Sequence, residues 1–448
     1  MQQQVEDYVR TLGLDAYVVG GAVRDELLGL ESKDADFLVL GVDHEQLRAK
    51  LESHGRVEDL EVAGQRVGLR LRPRDPKIRK LVRSGIEFAP ARRERSTGPG
   101  RHDFEIVVDP SATVEDDLAR RDFTVNAIAR RLADNELVDP FDGQEDLNNR
   151  VLRTVSPRSF AEDPLRIVRG LRFVSQLDLA PDDQTLRQMI DEATSVRLVS
   201  GERIGGGLQA DGMGELSRLL LGPRVTKALR LARDSGVLVA LIPEFGPAIG
   251  YDSQNERQGG SVDEHTFAVV ANAPVSLPVR LAALLHDLGK PHVDIREHAA
   301  EGARIADRVL ERLRYPTRLR HYVVDLIAAH AFQTDDVDEL FARRFLRDHG
   351  ERLARDLVAH KQADLRAKNI DQEELARTLR LAELVEREAS QPHRVSDLEV
   401  DGSDLLALGY REGPELGSVL SELLDEVVED PGRNRKEWLL ERAKERLA

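Results

Sequence analysis

The 448-residue chain contains no cysteine. That excludes disulfides, zinc–thiolate centres and a cysteine nucleophile, and it fits a reducing compartment. No apolar run approaches the ~18 residues that a membrane span needs, and the opening Met1-Gln2-Gln3-Gln4 carries no apolar signal core. No membrane association is expected, and the cytoplasm is the expected location. Basic residues are outnumbered, with a net charge of −16, and aromatic residues make up only 4%. A chain of that balance does not hold nucleic acid through its overall charge.

The charge is uneven. Between Gln65 and Arg101 there are twelve Lys/Arg against three Asp/Glu, whereas acids crowd at Asp335-Asp336-Val337-Asp338-Glu339. The basic stretch is either a phosphate-attracting face, whose binding would weaken with salt, or a solvated surface. The length exceeds one ordinary core and implies two to four domains. Up to Arg150 the chain mixes strand-like runs (Tyr17-Val18-Val19, Asp36 to Leu40, Val67 to Leu71, Phe104 to Val108) with helical patterns. Beyond it, Leu/Ala/Arg/Glu-rich stretches at helical spacing run to the C-terminus. They are broken at Gly205-Gly206-Gly207, between Gly246 and Gly260, and near Ser390-Gln391-Pro392. The expected fold class is α+β: an α/β head followed by a long all-helical portion.

Asp34-Ala35-Asp36 stands at the start of a strand-like run. Side chains alternate along a strand, so its two carboxylates would face one side. Such a pair can hold Mg²⁺ together with phosphate oxygens. Asp-x-Asp alone is more often surface or turn chemistry. Upstream, however, a strand stops at Gly20-Gly21 and a helix opens with Ala22-Val23-Arg24-Asp25. Glycines there let backbone N–H groups approach a phosphate, and Arg24 could donate to a triphosphate. The alternative is a Gly-Gly turn with an Arg–Asp surface pair.

The stretch Val19-Gly20-Gly21-Ala22-Val23-Arg24-Asp25 with Lys33-Asp34-Ala35-Asp36 resembles the first motif of class II tRNA nucleotidyltransferases, the family of bacterial CCA-adding enzymes and poly(A) polymerases. Asp117-Leu-Ala-Arg-Arg-Asp-Phe-Thr-Val-Asn-Ala127 resembles the second, Asp139-Pro-Phe-Asp-Gly143 the third, and Glu162-Asp163-Pro164-Leu165-Arg166, continuing to Arg169 and Arg172, the fourth. The resemblance implies a DNA polymerase β-like nucleotidyltransferase head over 1–150 and a helical neck with base recognition over 151–215. A helical body over 216–390 and a tRNA-binding helical tail over 391–448 would follow. It assigns Asp34 and Asp36 to catalysis and Mg²⁺, and Gly21 and Arg24 to the triphosphate. Arg121 and Asp122 would meet the incoming nucleotide, with Asp122 and Asn126 near the ribose, and Asp139 and Asp142 would brace the head–neck junction. Glu87 and Glu105 are read as either a third acid or edge-strand charge.

Asp163 and Arg166 are three residues apart and are expected on one helix face. A carboxylate only accepts and a guanidinium only donates. Such a pair can read cytosine and adenine without a nucleic-acid template, the mode the family is understood to use for CTP and ATP. Arg169 and Arg172 would continue the stripe toward phosphates. The alternative is an i,i+3 salt bridge on a surface helix.

A second constellation lies in Leu284-Leu285-His286-Asp287-Leu288-Gly289-Lys290, with His265 upstream and His298, His330 and Asp364 downstream. Imidazole and carboxylate are good ligands for a divalent transition metal, and His298 and His330 could hold a second ion. Any one of these histidines alone would more often be a helix cap or a core residue. The order His, His-Asp, Asp resembles the metal-dependent HD phosphohydrolases. A class II head followed by such a domain resembles the enterobacterial type of CCA-adding enzyme, in which that domain carries phosphatase and 2′,3′-cyclic phosphodiesterase activities. The Arg92–Arg101 segment resembles the flexible loop of enzymes that add the full CCA. The end of the chain, Asp401 to Gly409 with Gly413-Pro414 and Gly417, resembles instead the tail of other class II enzymes, or is an ordinary helical cap with glycine turns. The expected partners are therefore tRNA, CTP and ATP, and no feature of the sequence specifies an oligomeric state. The competing readings are addition of CC or A alone, poly(A) synthesis, a metal phosphohydrolase with an RNA-binding head, and a non-catalytic tRNA-binding module.

Overall fold

The structure is a computed structural model and describes residues 2–30, 36–62, 65–96, 104–206, 212–252, 260–368 and 372–447. The chain forms two compact units, Met1–Pro243 and Glu244–Ala448. Among the described residues, no helix is long and apolar enough to cross a membrane.

The first unit is built on a seven-stranded sheet. Its strands are β1 (Ala16–Val19), β2 (Asp36–Val39), β3 (Gly55–Val62), β4 (Gln65–Pro73), β5 (Ile86–Pro90), β8 (Ala129–Arg131) and β9 (Leu137–Val138), in the order β3-β4-β5-β2-β1-β8-β9. The intervening β6 (Arg92–Ser96) and β7 (Phe104–Val108) form a separate antiparallel pair. Only β2 and β5 run parallel within the large sheet.

Alternation along the strands creates two cores, one on each side of the sheet. Ala16, Val18, Phe37, Val39 and Phe88 belong to the larger cluster, which the helices contribute to through Val5, Val9, Ala22, Val23, Leu47 and Leu51. Phe37 and Phe88 stack at 5.4 Å. Tyr17, Val19, Leu38 and Ala129 belong to the other cluster, with Val114, Leu118 and Ala127. Buried Arg130 on β8 pairs with Glu6 (2.7 Å) and Glu26 (3.1 Å), tying the first two helices, Gln2–Arg10 and Gly21–Leu27, to the sheet.

Three arginines of the basic stretch form ion pairs. Arg66, Arg70 and Arg72 of β4 meet Glu45 (2.8 Å), Glu87 (2.5 Å) and Glu58 (3.2 Å). The first half of the segment read as a flexible loop is β6, because it finds a partner strand in the β-prone run Phe104–Val108. Residues 97–103 lie outside the described residues.

Past Arg150 the described residues of the first unit are mainly helical, with one short parallel pairing, Val151-Leu152 with Ala180-Pro181. The amphipathic helix Leu165–Leu177 buries eight of its thirteen residues. Helices Glu215–Leu220 and Val225–Asp234 pack on it. The second unit is all helix among the described residues. Helices Val262–Asn272, Leu277–Leu285, His298–Arg312, Thr317–Ala329, Glu339–Arg366 and Gln372–Glu388 are followed by a smaller apolar cluster. That cluster gathers Leu405, Leu423, Val427 and Leu439. Asp401 caps the helix Gly402–Leu408 by accepting from the N–H groups of Ser403 and Asp404, and left-handed Gly409 ends it.

Asp139 folds the third motif. Its carboxylate accepts from the backbone N–H of Gly143 (2.7 Å) and Gln144 (2.9 Å), and so starts the helix Gly143–Asn148. Asp146 on that helix accepts from the Thr124 hydroxyl (2.7 Å) and from Arg153, which knits the second and third motifs. Asp142 takes a left-handed conformation at the turn. A Cβ on Gly143 would lie 2.2 Å from the Thr124 carbonyl oxygen, which is backbone and cannot swing aside. Gly143→Ala is expected to cost about 1–3 kcal/mol of stability, measured by urea titration; an unchanged midpoint would contradict this packing.

Candidate active sites

The first site lies at the end of β1. Register places Val19 opposite Asp36 on one side and opposite Ala129 on the other. The chain then turns at Gly20, whose φ of 74° favours glycine, with Arg121 Nη1 close by (2.6 Å from an added Cβ). Asp36 is exposed at the start of β2, and Glu87 is its register partner on β5. β5 is an internal strand, so Glu87 is not edge-strand charge, and Arg70 holds it. Glu105 sits on β7, in a different sheet from Asp36. Asp34 lies outside the described residues.

One cleft is lined by Gly20, Gly21, Asp36, Arg120, Arg121, Asp122, Asn126, Asp163, Arg166 and Arg169. Three of the four sequence motifs, the first, second and fourth, thus contribute to one depression. Arg24 and Arg172 stand beside that set, each over the Phe173 ring (5.0 and 4.5 Å to its centroid). A second cleft shares Asp36, Arg120 and Arg121 and continues over Leu38, Leu60, Val67 and Glu87.

Buried acids hold these cations in place. Asp117 is fully buried and binds both Arg120 and Arg121. Burial alone would raise its pKa, but the two guanidiniums outweigh burial and hold the carboxyl below the usual range. Asp122 behaves alike. Burial opposes its charge, and Arg169 (2.9 Å), Asn126 (2.9 Å) and Arg166 overcome that penalty. Asp122 is only 7% exposed, so Arg120-Arg121-Asp122 is not a surface ion pair. Arg24 does pair with Asp25 (2.6 Å), but its Nη1 also donates to Asn126 (2.7 Å), 102 residues away. It is therefore no mere surface pair. Burial pushes Arg172 down to about 10, with Glu215 at 2.8 Å restoring part of the loss, so it stays charged at neutral pH.

One sequence expectation is corrected. Asp163 and Arg166 do not share a helix face. Pro164 disfavours a helical conformation in the preceding residue, and Asp163 is extended (φ −144°, ψ 100°) between the helices Ser159–Glu162 and Leu165–Leu177. Nor do the two side chains form a salt bridge. Asp163 binds Arg203, while Arg166 donates to the Arg120 carbonyl (2.8 Å) and to Ser159. Both still line the same cleft. Sequence reading missed Arg203, which no motif contains, and Asp117, which stood inside the second motif without a role.

The second site lies within the second unit. His265, His286, Asp287, His298, His330 and Asp364 converge on it, each from the helix or helix end that the chain order suggests. His265 Nε2 lies 2.9 Å from Asp364 Oδ1. Asp287 reaches both ways: Oδ2 is 3.2 Å from His286 Nε2 and 3.6 Å from His265 Nε2, and Oδ1 is 3.7 Å from His298 Nε2. His286, His298 and His330 each set Nδ1 against the carbonyl of the residue three earlier, Ala283, Ile295 and Ile327. An Nδ1–H donated there leaves the Nε2 lone pair facing inward. The Nε2 atoms of His298 and His330 then face each other at 3.2 Å. Two lone pairs at that distance repel unless a cation lies between or beside them.

His360 was missed as well. It is fully buried, one helical turn before Asp364, with ring centroids 5.1 Å from His286 and 5.6 Å from His330. The i,i+4 spacing to Asp364 was the available signal. Neither of its ring nitrogens has a hydrogen-bond partner among the described residues. Burial pushes His330 down to about 3 and also lowers His265, His298 and His360, so all four are neutral at physiological pH. Asp287 and Asp364 stay ionised. The cost of burying them is outweighed for Asp287 by His286 and Lys290, and for Asp364 by His265 and Lys368.

These geometries accompany clear similarities. The poly A polymerase head domain model matches residues 16–153, and the model for tRNA nucleotidyltransferase domain 2 matches residues 300–443. A multifunctional CCA protein of Ralstonia nicotianae is 36% identical over 339 residues, which is 71% of this chain and 73% of that protein. The multifunctional CCA protein of Xanthomonas campestris is 33% identical over 429 residues, covering 90% and 96%. Among solved structures, the Bacillus stearothermophilus CCA-adding enzyme in complex with CTP aligns with a TM-score of 0.70 at 25% identity, covering 99% of this chain and 97% of that one. The Thermotoga maritima CCA-adding enzyme complexed with tRNA shares the fold, with a TM-score of 0.58 at 21% identity over 98% and 93%. With motifs, fold and relatives in agreement, the chain belongs to the bacterial class II CCA-adding tRNA nucleotidyltransferases, the family of the multifunctional CCA proteins.

Proposed function

We propose that this protein adds CCA to the 3′ end of tRNA from CTP and ATP without a nucleic-acid template, and that its His-Asp centre is a divalent-metal phosphohydrolase. The observation that carries the first reading is the single cleft in which Asp36, Arg121, Asp122, Asp163 and Arg166 meet. The tRNA 3′-oxygen attacks the α-phosphorus of the bound nucleotide, the α–β phosphoanhydride bond breaks, and pyrophosphate departs with the bonding electrons. Mg²⁺ held by Asp34 and Asp36 would activate the hydroxyl and neutralise the departing charge. Arg24 and Arg121, over Gly20-Gly21, receive the triphosphate. Asn126 and the Asp122 carboxylate present an amide and an acceptor to the ribose hydroxyls.

The base is chosen by complementary hydrogen bonding. Asp163 accepts from the exocyclic amine of cytosine or adenine, and Arg166 donates to the ring acceptors. Uracil and guanine offer a carbonyl oxygen where an amine is needed, and a carboxylate repels it. The division into head (1–150), neck (151–215), body (216–390) and tail (391–448) is part of this proposal, with the tail bearing on tRNA.

The second reading rests on the inward-facing imidazoles around Asp287. His265, His286 and Asp364 form one possible ligand group and His286, Asp287 and His330 another, so the set suits one or two ions. A bound divalent cation would supply a nucleophilic hydroxide at neutral pH.

Given tRNA lacking its CCA, with Mg²⁺, CTP and ATP, the protein should add three nucleotides and stop, as read on a denaturing gel. Asp36→Ala should slow that reaction roughly 10³-fold, about 4 kcal/mol. Arrest after CC, a long A tract, or full activity of the variant would overturn the reading. Asp287→Ala should abolish hydrolysis of a 2′,3′-cyclic phosphate assayed with added Mn²⁺ or Ni²⁺ and leave nucleotide addition intact; hydrolysis surviving in that variant would place the activity elsewhere.

The buried histidines also set a pH dependence. Their folded pKa values lie below that of the unfolded chain, about 6.5. Below that pH the unfolded chain binds protons that the folded centre refuses, so stability is full above pH 7 and falls with decreasing pH. The slope is about 1.4 kcal/mol per pH unit for each such histidine, until its folded pKa is reached. The chelated protein should melt progressively lower from pH 7 to pH 5. Added Mn²⁺ should raise the midpoint at pH 7.5 and lose that effect by pH 5, since only neutral imidazole binds metal. A metal effect that grew on acidification would count against the centre.

A further inference from the structure

Asp163 is gripped by a residue that lies in none of the four motifs. Arg203, on the short helix Gly201–Ile204, meets its carboxylate as a fork, Nη1 to Oδ1 at 3.2 Å and Nη2 to Oδ2 at 2.7 Å. The two residues are 40 apart in sequence, and their side chains are only 16% and 20% exposed. Oδ1 also accepts from the backbone N–H of Leu165 (3.1 Å).

A carboxylate offers about four lone-pair sites. Two on Oδ1 and one on Oδ2 are taken, so one acceptor position remains, on Oδ2. Arg166 can be counted the same way. Its Nη1 hydrogens are directed at Ser159 and Glu162, and one Nη2 hydrogen at the Arg120 carbonyl. That leaves Nε–H and one Nη2–H, a pair of donors. The unused valences are one acceptor and two donors. The Watson–Crick edge of cytosine is their complement, with one amine and two acceptors (N3 and O2). Adenine satisfies the acceptor and one donor through N6 and N1. Uracil and guanine each set a carbonyl oxygen against the remaining lone pair.

We propose that Arg203 is a specificity-determining positioning residue of the nucleotide site. It occupies three-quarters of Asp163 together with Leu165, fixes the carboxylate plane, and leaves a single acceptor aimed into the cleft. The inference rests on the reading of Asp163 and Arg166 as the base-selecting pair. A planar fork holds a carboxylate in one orientation, whereas an ammonium holds it only as a point charge, so lysine should be an incomplete replacement.

The test is kcat/KM for CTP, ATP, UTP and GTP on tRNA lacking CCA, with the full-length protein and Arg203→Met, Arg203→Lys and Asp163→Ala. Arg203→Met should reduce the preference for CTP over UTP by roughly tenfold or more, and Arg203→Lys should restore part of it. A role in packing alone would slow all four nucleotides together and leave the ratio untouched. If the ratio holds in Arg203→Met but collapses in Asp163→Ala, Arg203 has no part in selection and the base-selecting pair stands. A ratio that survives Asp163→Ala as well would remove the pair and the inference with it. Should Arg203→Met fail to fold, Arg203→Lys decides alone, and an unchanged ratio there overturns the proposal.

Discussion

The position of Val19 in the sheet governs the nucleotide site. It stands between Asp36 and Ala129, so the carboxylate, the Gly20-Gly21 turn and the Thr124–Asn126 turn all reach the same end of the sheet. Gly20 N–H closes that end by donating to the Ile128 carbonyl (3.4 Å). A one-residue slip would invert the whole strand and send Asp36 to the opposite core. The apolar alternation that stabilises the sheet is thus also what aims the chemistry.

Around that end, charge is ordered by burial. Asp117 and Asp122 bury negative charge at an energetic cost that isolated carboxylates could not sustain. Each stays ionised because arginines surround it, and each in turn fixes arginines that face the cleft. The acid-rich composition conceals this arrangement. A chain of net charge −16 presents Arg120, Arg121 and Arg169 on one concave surface because buried acids anchor them there, with Arg166 held beside them by the Arg120 carbonyl and Ser159. The His-Asp centre inverts the scheme. His265, His298, His330 and His360 are kept neutral by burial while two carboxylates are kept charged beside Lys290 and Lys368, the set of protonation states that a metal requires.

Much of this could be read from the residues in order. Strand β1, the Gly-Gly turn, β2, the helical remainder and the ring of His and Asp all followed from periodicity, turn chemistry and the family resemblance. What could not be read was long-range pairing. Arg203 touches Asp163 across 40 residues, and His360 lies against two histidines, His286 and His330, that come from the ends of other helices. The error at Asp163 was different, for the signal was local and present. A residue before proline leaves the helix, and three-residue spacing was given precedence over Pro164. The basic stretch was ambiguous because cross-strand partners such as Glu58 and Glu87 become neighbours only once β3, β4 and β5 are in register.

The two faces of the central sheet bear unequal duties. The Phe37–Phe88 face packs mainly against apolar helix surface, with Arg130 and its two glutamates as the charged exception, whereas the Val19–Leu38 face runs directly into Asp36, Glu87 and the arginines. Volume-conserving exchange on the first face changes how firmly the head is held together and leaves the reacting groups where they are. On the second face the same exchange moves them. A lineage of such proteins can therefore drift far in one half of its core while the other half is held under the narrower tolerance of the chemistry.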